Sequence, residues 1–176
     1  MKVGNYEFEL KGFKYLESRS EETYCFGATL YVNGKRFADC GNSGHGGPTD
    51  VHIFPECRAF GNEVEEFLSK QPKIKCEEYD FEMDCDLEYV VDELVQKLLE
   101  AKEMKRIMNK TKNSLVFKGV DGEYYTMGWK SKALTELIVK HPIGRESIKK
   151  TIAEQVAKGS VLINENIPSD LLPGAK

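Results

Sequence analysis

The sequence lacks the long apolar stretches that mark membrane and secreted proteins. No apolar run approaches the roughly 20 residues that a bilayer-spanning helix requires, and the first ten residues mix charged with apolar side chains instead of forming the apolar block of a signal peptide. Internal repeats and low-complexity linkers are lacking as well. These absences argue against a membrane partner or a repeat architecture, and they predict a cytoplasmic protein.

Cysteines with the spacing of a disulfide framework are also lacking. The five cysteines are odd in number, and none forms a C-x-x-C pair. We therefore expect thiols that pack as small apolar side chains rather than as disulfides. They are Cys25, Cys40, Cys57, Cys76 and Cys85.

Size and composition favour one globular domain over residues 1–176. The chain is 40% hydrophobic and 31% charged, which is ordinary for a soluble domain. A domain near this size buries roughly 70% of its unfolded surface, so it needs neither disulfides nor metals to build a core.

Charge is unevenly distributed along the chain. Residues 1–100 carry 21 acidic and 11 basic side chains, a net charge of −10, whereas residues 101–176 carry 8 acidic and 14 basic ones, a net charge of +6. This asymmetry is typical of two solvated faces of one domain, and the alternatives are the steering of an anionic partner to one face and a homo-oligomer paired head to tail. The role of the acidic segment 77–86 is left open.

Alternating apolar residues predict a hairpin in the first third of the chain. The alternation runs through residues 24–32, Asn33-Gly34 is a strong two-residue turn signal, and residues 35–40 form the returning strand. A further strand is expected at residues 6–10, where apolar and charged side chains alternate.

Helical spacing and turn signals predict the remaining elements. Asn62 is expected to cap a helix that ends before Pro72, and Asp86 to cap a long helix from Leu87 to Asn109 within 86–110. A second hairpin, two further helices and a last strand are expected at 115–118, 124–129, 131–139, 147–158 and 161–163.

These elements predict an α+β fold, in which an antiparallel sheet built from two hairpin units packs against three or four helices. The layout is a strand-rich part at 1–60, the long helix at 86–110, and a hairpin with helices at 113–164. Residues 165–176, which include two prolines, are expected to form a frayed tail.

The segment from Cys40 to His52 contains four glycines within seven residues and two of the three histidines. Glycines allow backbone N–H groups to converge on an anion, so we predict a cradle for a small anionic ligand, with a structural turn as the alternative. Nearby aromatic and basic side chains are expected to assist. The predicted ligand-binding residues are Asn42, Ser43, Gly44, His45, Gly46, Gly47, Thr49, Tyr24, Arg36 and Arg58.

The same segment admits two chemical alternatives. Cys40, His45, His52 and Cys57 supply four zinc-compatible ligands, although at no standard spacing. Cys40 is a candidate nucleophile with His45 as base and Asp50 as the orienting group. No catalytic residue is assigned, and binding is favoured over catalysis. Nucleic acid is not expected as a partner, because the sequence pI is about 5.5.

Three short motifs resemble those of short proteins encoded by bacteriophages, prophages and related mobile elements. They are Ser20-Glu21-Glu22-Thr23, residues 28–35 (ATLYVNGK) and Gly44-His45-Gly46-Gly47, and the resemblance covers residues 8–54. It implies an accessory protein inside a bacterial host. Together with the glycine loop, it leads us to expect capture of a nucleotide immune signal. An interaction module that inhibits a host factor, and a nucleotide hydrolase with or without zinc, are the alternatives.

Overall fold

The structure, a computed structural model, describes residues 1–75, 81–129 and 134–173. The chain divides into two compact units, Met1–Leu99 and Glu100–Lys176. The predicted α+β class is confirmed, because antiparallel sheets and helices both contribute to the fold. The single domain over 1–176 stays a prediction.

The first unit is built on a five-stranded antiparallel sheet with the order β1-β2-β3-β4-β5. Its strands are β1 (Lys2–Val3), β2 (Tyr6–Tyr15), β3 (Phe26–Val32), β4 (Lys35–Asn42) and β5 (Asp50–Ile53). The predicted turn at Asn33-Gly34 joins β3 to β4. Leu10 of β2 lies opposite Leu30 of β3, and both side chains are buried in the core. The alternation in the sequence therefore marks the buried face correctly.

Helix α1 (Arg58–Ser69) begins four residues earlier than Asn62, so the prediction that Asn62 caps it is wrong. Pro55 opens a short 3-10 turn that leads directly into the helix. Gly61 is buried inside α1, and a Cβ there would lie 2.9 Å from Ile53 Cδ1. Close packing against β5, rather than a helix start, explains this glycine.

Helix α2 (Leu87–Lys110) matches the predicted long helix closely. The N–H of Tyr89 donates to Asp86 Oδ1 at 2.8 Å, so Asp86 caps the helix as predicted. Val90, Val91 and Val95 are buried in the core of the first unit. The segment 73–84 contributes β6 (Ile74–Lys75) and β7 (Glu82–Met83), which pair antiparallel, and residues 76–80 lie outside the described part.

The second unit contains a three-stranded sheet with the order β10-β8-β9. Its elements are β8 (Leu115–Lys118), β9 (Tyr124–Met127), α3 (Leu134–Lys140), α4 (Pro142–Ala157) and β10 (Val161–Leu162). The two predicted hairpins therefore lie in separate sheets. The helix start predicted at Ser131 falls outside the described residues. The helix predicted from Ser147 begins five residues earlier, at Pro142. Proline is compatible with the first position of a helix because its fixed φ angle is already helical, so Pro142 starts this helix.

Two apolar side chains of the predicted frayed tail pack into the second unit. Ile167 and Leu171 are buried in the core of that unit, and Ser169–Leu171 form a 3-10 turn. Residues 174–176 lie outside the described part, and fraying of the tail stays a prediction. Within the described residues, no helix has the length and apolarity to cross a bilayer.

Candidate functional site

A cavity of about 710 Å³ opens in the first unit beside the glycine loop. Its walls come from residues 20–26, from residues 46–49, and from the first turns of α2. Five of the predicted ligand residues line it, namely Tyr24, Asn42, Gly46, Gly47 and Thr49. The predicted loop therefore borders a concave part of the surface, although the chemistry of the cavity walls differs from the predicted one.

Asn42 holds the glycine loop in shape. Its Nδ2 donates to the carbonyl of Gly47 at 2.9 Å, and its Oδ1 accepts both the Gly44 N–H and the Thr23 hydroxyl at 2.8 Å. The Thr23 hydroxyl oxygen in turn accepts the Gly46 N–H at 3.3 Å. One amide side chain therefore ties the loop to itself and to the neighbouring segment 20–25.

Gly44 packs tightly against that neighbouring segment. Its carbonyl oxygen accepts the N–H groups of Glu21, Glu22 and Thr23 at 3.0 to 3.4 Å. Its φ is +90°, and a Cβ at this position would overlap the carbonyl oxygen of Arg19. Glycine is required here by backbone geometry and close packing, which is the structural reason for part of the glycine-rich motif.

Thr49 connects the loop to α2. Its N–H donates to Glu88 Oε1 at 3.0 Å, and its hydroxyl donates to Asp92 Oδ1 at 2.6 Å. Burial raises the pKa of Asp92, and the negative charges of Glu88 and Asp86 raise it further, against the lowering effect of the Thr49 hydrogen bond. The loop, the segment 20–25 and the helix thus form one hydrogen-bonded frame around the cavity.

Three of the backbone amides in the predicted anion cradle are bonded within the protein. The N–H groups of Gly44, Gly46 and Thr49 donate to side-chain oxygens of Asn42, Thr23 and Glu88. An anion nest needs such N–H groups to point at the ligand. These three amides therefore donate to protein oxygens instead of pointing at a ligand, which weakens the predicted anion cradle.

His45 does not line the cavity. Its side chain is 59% exposed, and its Nδ1 lies 3.3 Å from Glu21 Oε2. Ser43 and Gly44 are likewise absent from the lining among the residues that the structure describes. The imidazole is therefore a surface group beside a carboxylate. His45 was predicted to bind the ligand, but its position outside the cavity lining does not support that role.

The two predicted arginines lie away from the cavity lining. The Arg36 guanidinium stacks 4.0 Å from the centre of the Phe54 ring and lies 3.7 Å from Asp39 Oδ1. Arg58 is the first residue of α1 and is exposed. Neither residue lines the cavity in the described part of the chain, so the predicted phosphate partners are not brought to the site.

Four carboxylates line the cavity, and none of them is among the ligand-binding residues predicted from the sequence. They are Glu21, Glu22, Glu88 and Asp92. Within the described lining there is no Lys, Arg or His. The spacing of Glu88 and Asp92 on a predicted helix does place both on one face, which is the one signal in the sequence that could have found them.

The alternative zinc ligands do not converge. Cys40 lies opposite Val51 while His52 lies opposite Asp39, so the two side chains point to opposite faces of the sheet. The Cys57 thiol donates to the carbonyl of Arg36 at 3.4 Å. Among the described residues, no three His, Cys, Asp or Glu side chains are grouped to hold a metal ion.

The Cys40 thiol is unsuited to the role of nucleophile. Its side chain is buried in β4, and burial raises its pKa to about 12. A reactive cysteine needs an accessible thiolate, which this environment disfavours. Comparison of the chain with protein-family models, with curated proteins and with solved structures gave no match, so the cavity itself is the basis for a functional assignment.

Proposed function

We propose that this protein binds a small molecule in the cavity of its first unit. The observation that carries the proposal is a concavity of about 710 Å³ whose walls are fixed by hydrogen bonds from Asn42 and Thr49. Sites for small molecules are typically pre-formed clefts of about 300 to 1,000 Å³ that combine aromatic side chains with a few placed polar groups. Tyr24 and Phe26 supply the aromatic part, and the carboxylates supply the polar part.

The proposed site lies beside the glycine loop, where binding of a small molecule was predicted from the sequence. Its walls do not suit the anionic ligand that was predicted there. A phosphate in this cavity would face carboxylates from two segments of the chain, and three of the amides expected to attract it donate to Asn42, Thr23 and Glu88. Like charges this close disfavour binding. The expectation of a nucleotide as ligand therefore loses its support.

Binding, rather than catalysis, is favoured because the candidate nucleophile is buried. Cys40 lies in β4 with a raised pKa, and it does not line the cavity in the described residues. The resemblance of residues 8–54 to phage-encoded proteins supports an accessory role inside a bacterial host. Homo-oligomerisation and inhibition of a host factor stay predictions.

Native mass spectrometry of protein purified from bacteria tests the proposal, together with a thermal-shift screen of charged and neutral metabolites. We expect either a co-purifying small molecule or ligand-dependent stabilisation. Gly47→Trp should abolish the effect, because a Cβ at Gly47 meets no atom within 4 Å and a bulky side chain there reduces the open volume. Gly47→Ala is the matched control and should retain binding. Absence of any bound or stabilising small molecule would overturn the proposal.

A further inference from the structure

We infer that the ligand is an organic cation, an ammonium or guanidinium compound that carries an aromatic group. The inference rests on the proposed function, because it assigns the ligand class of the same cavity. The site is the open cavity beside the glycine loop, and the side chains on its walls determine which charge and shape it accepts.

The carboxylates on the cavity wall can still accept hydrogen bonds from a ligand. A carboxylate has two oxygens and accepts up to about four hydrogen bonds. The bonds from Thr49 engage one oxygen each of Glu88 and Asp92. Glu22 forms no ion pair within the described chain, and a Cβ at Gly46 would collide with its Oε2, so the carboxylate lies directly against the loop. A cation that enters the cavity therefore meets acceptors on both sides.

Aromatic rings supply the second half of the recognition. Tyr15 and Tyr24 meet edge to face, with ring centroids 6.1 Å apart and an interplanar angle of 77°. The Tyr24 side chain is half exposed, and both rings line the cavity with Phe26. Aromatic faces attract cations and stack with flat apolar groups. Rings beside carboxylates suit a ligand with a charged end and an aromatic body.

Size separates an organic cation from a metal ion. The cavity of about 710 Å³ is far larger than a bare ion requires. The described residues also hold no cluster of three metal-ligating side chains. Hydrogen-bonding acceptors spread over two walls fit a ligand with several atoms better than a single coordination centre.

A matched series of three probes tests the inference by isothermal titration with the full chain. Tyramine, tyrosol and 4-hydroxyphenylacetate share one ring and differ in carrying a positive, neutral or negative group. We expect tyramine to bind at least about tenfold more tightly than the other two, and its affinity to fall as salt is raised. Glu22→Gln and Asp92→Asn should each weaken tyramine binding by about tenfold. Glu63→Gln removes an exposed carboxylate on α1 and should have no effect.

The outcomes separate the inference from the proposed function. Equal or tighter binding of tyrosol or 4-hydroxyphenylacetate would overturn the cation assignment and leave a small-molecule site. A co-purified ligand identified by mass spectrometry as an anion would do the same. Failure of all three probes, with no co-purified ligand and no stabilisation in the screen, would overturn both.

Discussion

The hydroxyl of Thr49 donates a 2.6 Å hydrogen bond to Asp92 Oδ1, across 43 residues of sequence. The amide of the same threonine donates to Glu88, one helical turn earlier on α2. A single residue at the end of the glycine loop therefore positions two carboxylates of the cavity wall. The position of these negative charges on the cavity wall depends on this contact between loop and helix.

The raised pKa of Asp92 predicts a pH-dependent effect of Asp92→Asn on stability. Because the folded-state pKa lies above the unfolded value of about 3.9, the folded protein holds this proton more tightly, and the free energy of unfolding falls as pH rises through the interval between them. Asparagine stays neutral and can still accept the Thr49 hydroxyl. Asp92→Asn should therefore unfold at a higher urea concentration than the wild type at pH 7, and the difference should shrink near pH 4.

Glu63→Gln provides the control for this measurement, since Glu63 is an exposed carboxylate on α1. It should shift the urea midpoint little at either pH. If Asp92→Asn is less stable than the wild type at pH 7, this would contradict the conclusion that the ionised Asp92 side chain lowers the free energy of unfolding at this pH.

Gly44→Ala should destabilise the first unit strongly. A left-handed backbone costs a residue with a Cβ roughly 1 to 2 kcal/mol, and the added methyl overlaps the Arg19 carbonyl oxygen. We expect the free energy of unfolding in urea to fall by about 2 kcal/mol or more. Gly47→Ala, at an open position without positive φ, should change it by less than about 0.5 kcal/mol. Similar effects of the two substitutions would contradict the assigned packing role of Gly44.

Asn42→Ala should loosen the loop without unfolding the protein. The substitution removes the acceptor of the Gly44 N–H and the donor to the Gly47 carbonyl. Hydrogen exchange at the Gly44 and Gly46 amides should accelerate by about tenfold, as expected for the loss of about 1 to 2 kcal/mol of local hydrogen bonding. Asn62→Ala on the exposed side of α1 is the control. Unchanged protection of both glycine amides would show that Asn42 does not hold the loop.

Cys40 should resist alkylation in the folded protein. Its thiol is buried and its pKa is raised to about 12, so little thiolate is present at pH 8. Mass spectrometry after iodoacetamide treatment should show label on the half-buried Cys57 before Cys40, and label on Cys40 only in urea. Rapid modification of Cys40 under native conditions would restore it as a candidate nucleophile.

Features specified by neighbouring residues could be predicted from the sequence. The Asn33-Gly34 turn and the Asp86 cap depend on residues within a few positions of each other, and both lie where they were predicted. The helix start was wrongly predicted at Asn62 because Gly61 was interpreted as preceding the helix. Gly61 instead lies inside the helix and packs closely against Ile53, in a strand that was not predicted from the sequence.

Only the local part of the candidate site could be predicted from the sequence, because the rest depends on contacts between distant residues. Glycine density located the loop, since it follows from local backbone geometry. Glu88 and Asp92, two of the four carboxylates of the cavity, are bonded to Thr49 across 39 and 43 residues, and no local pattern shows that the loop meets this helix. Two of the amides expected to bind a phosphate, those of Gly44 and Gly46, donate to Asn42 and Thr23 instead.

An amide-resolved NMR titration of the intact protein with tyramine shows directly whether an organic cation binds in this cavity. We expect saturable shifts for the amides of Glu22, Gly46 and Thr49, which surround the cavity. The amides of Asn62 and Glu63 on α1 should not move. Saturable shifts confined to residues outside the cavity, or no saturable shift at all, would contradict a cation-binding site at this position.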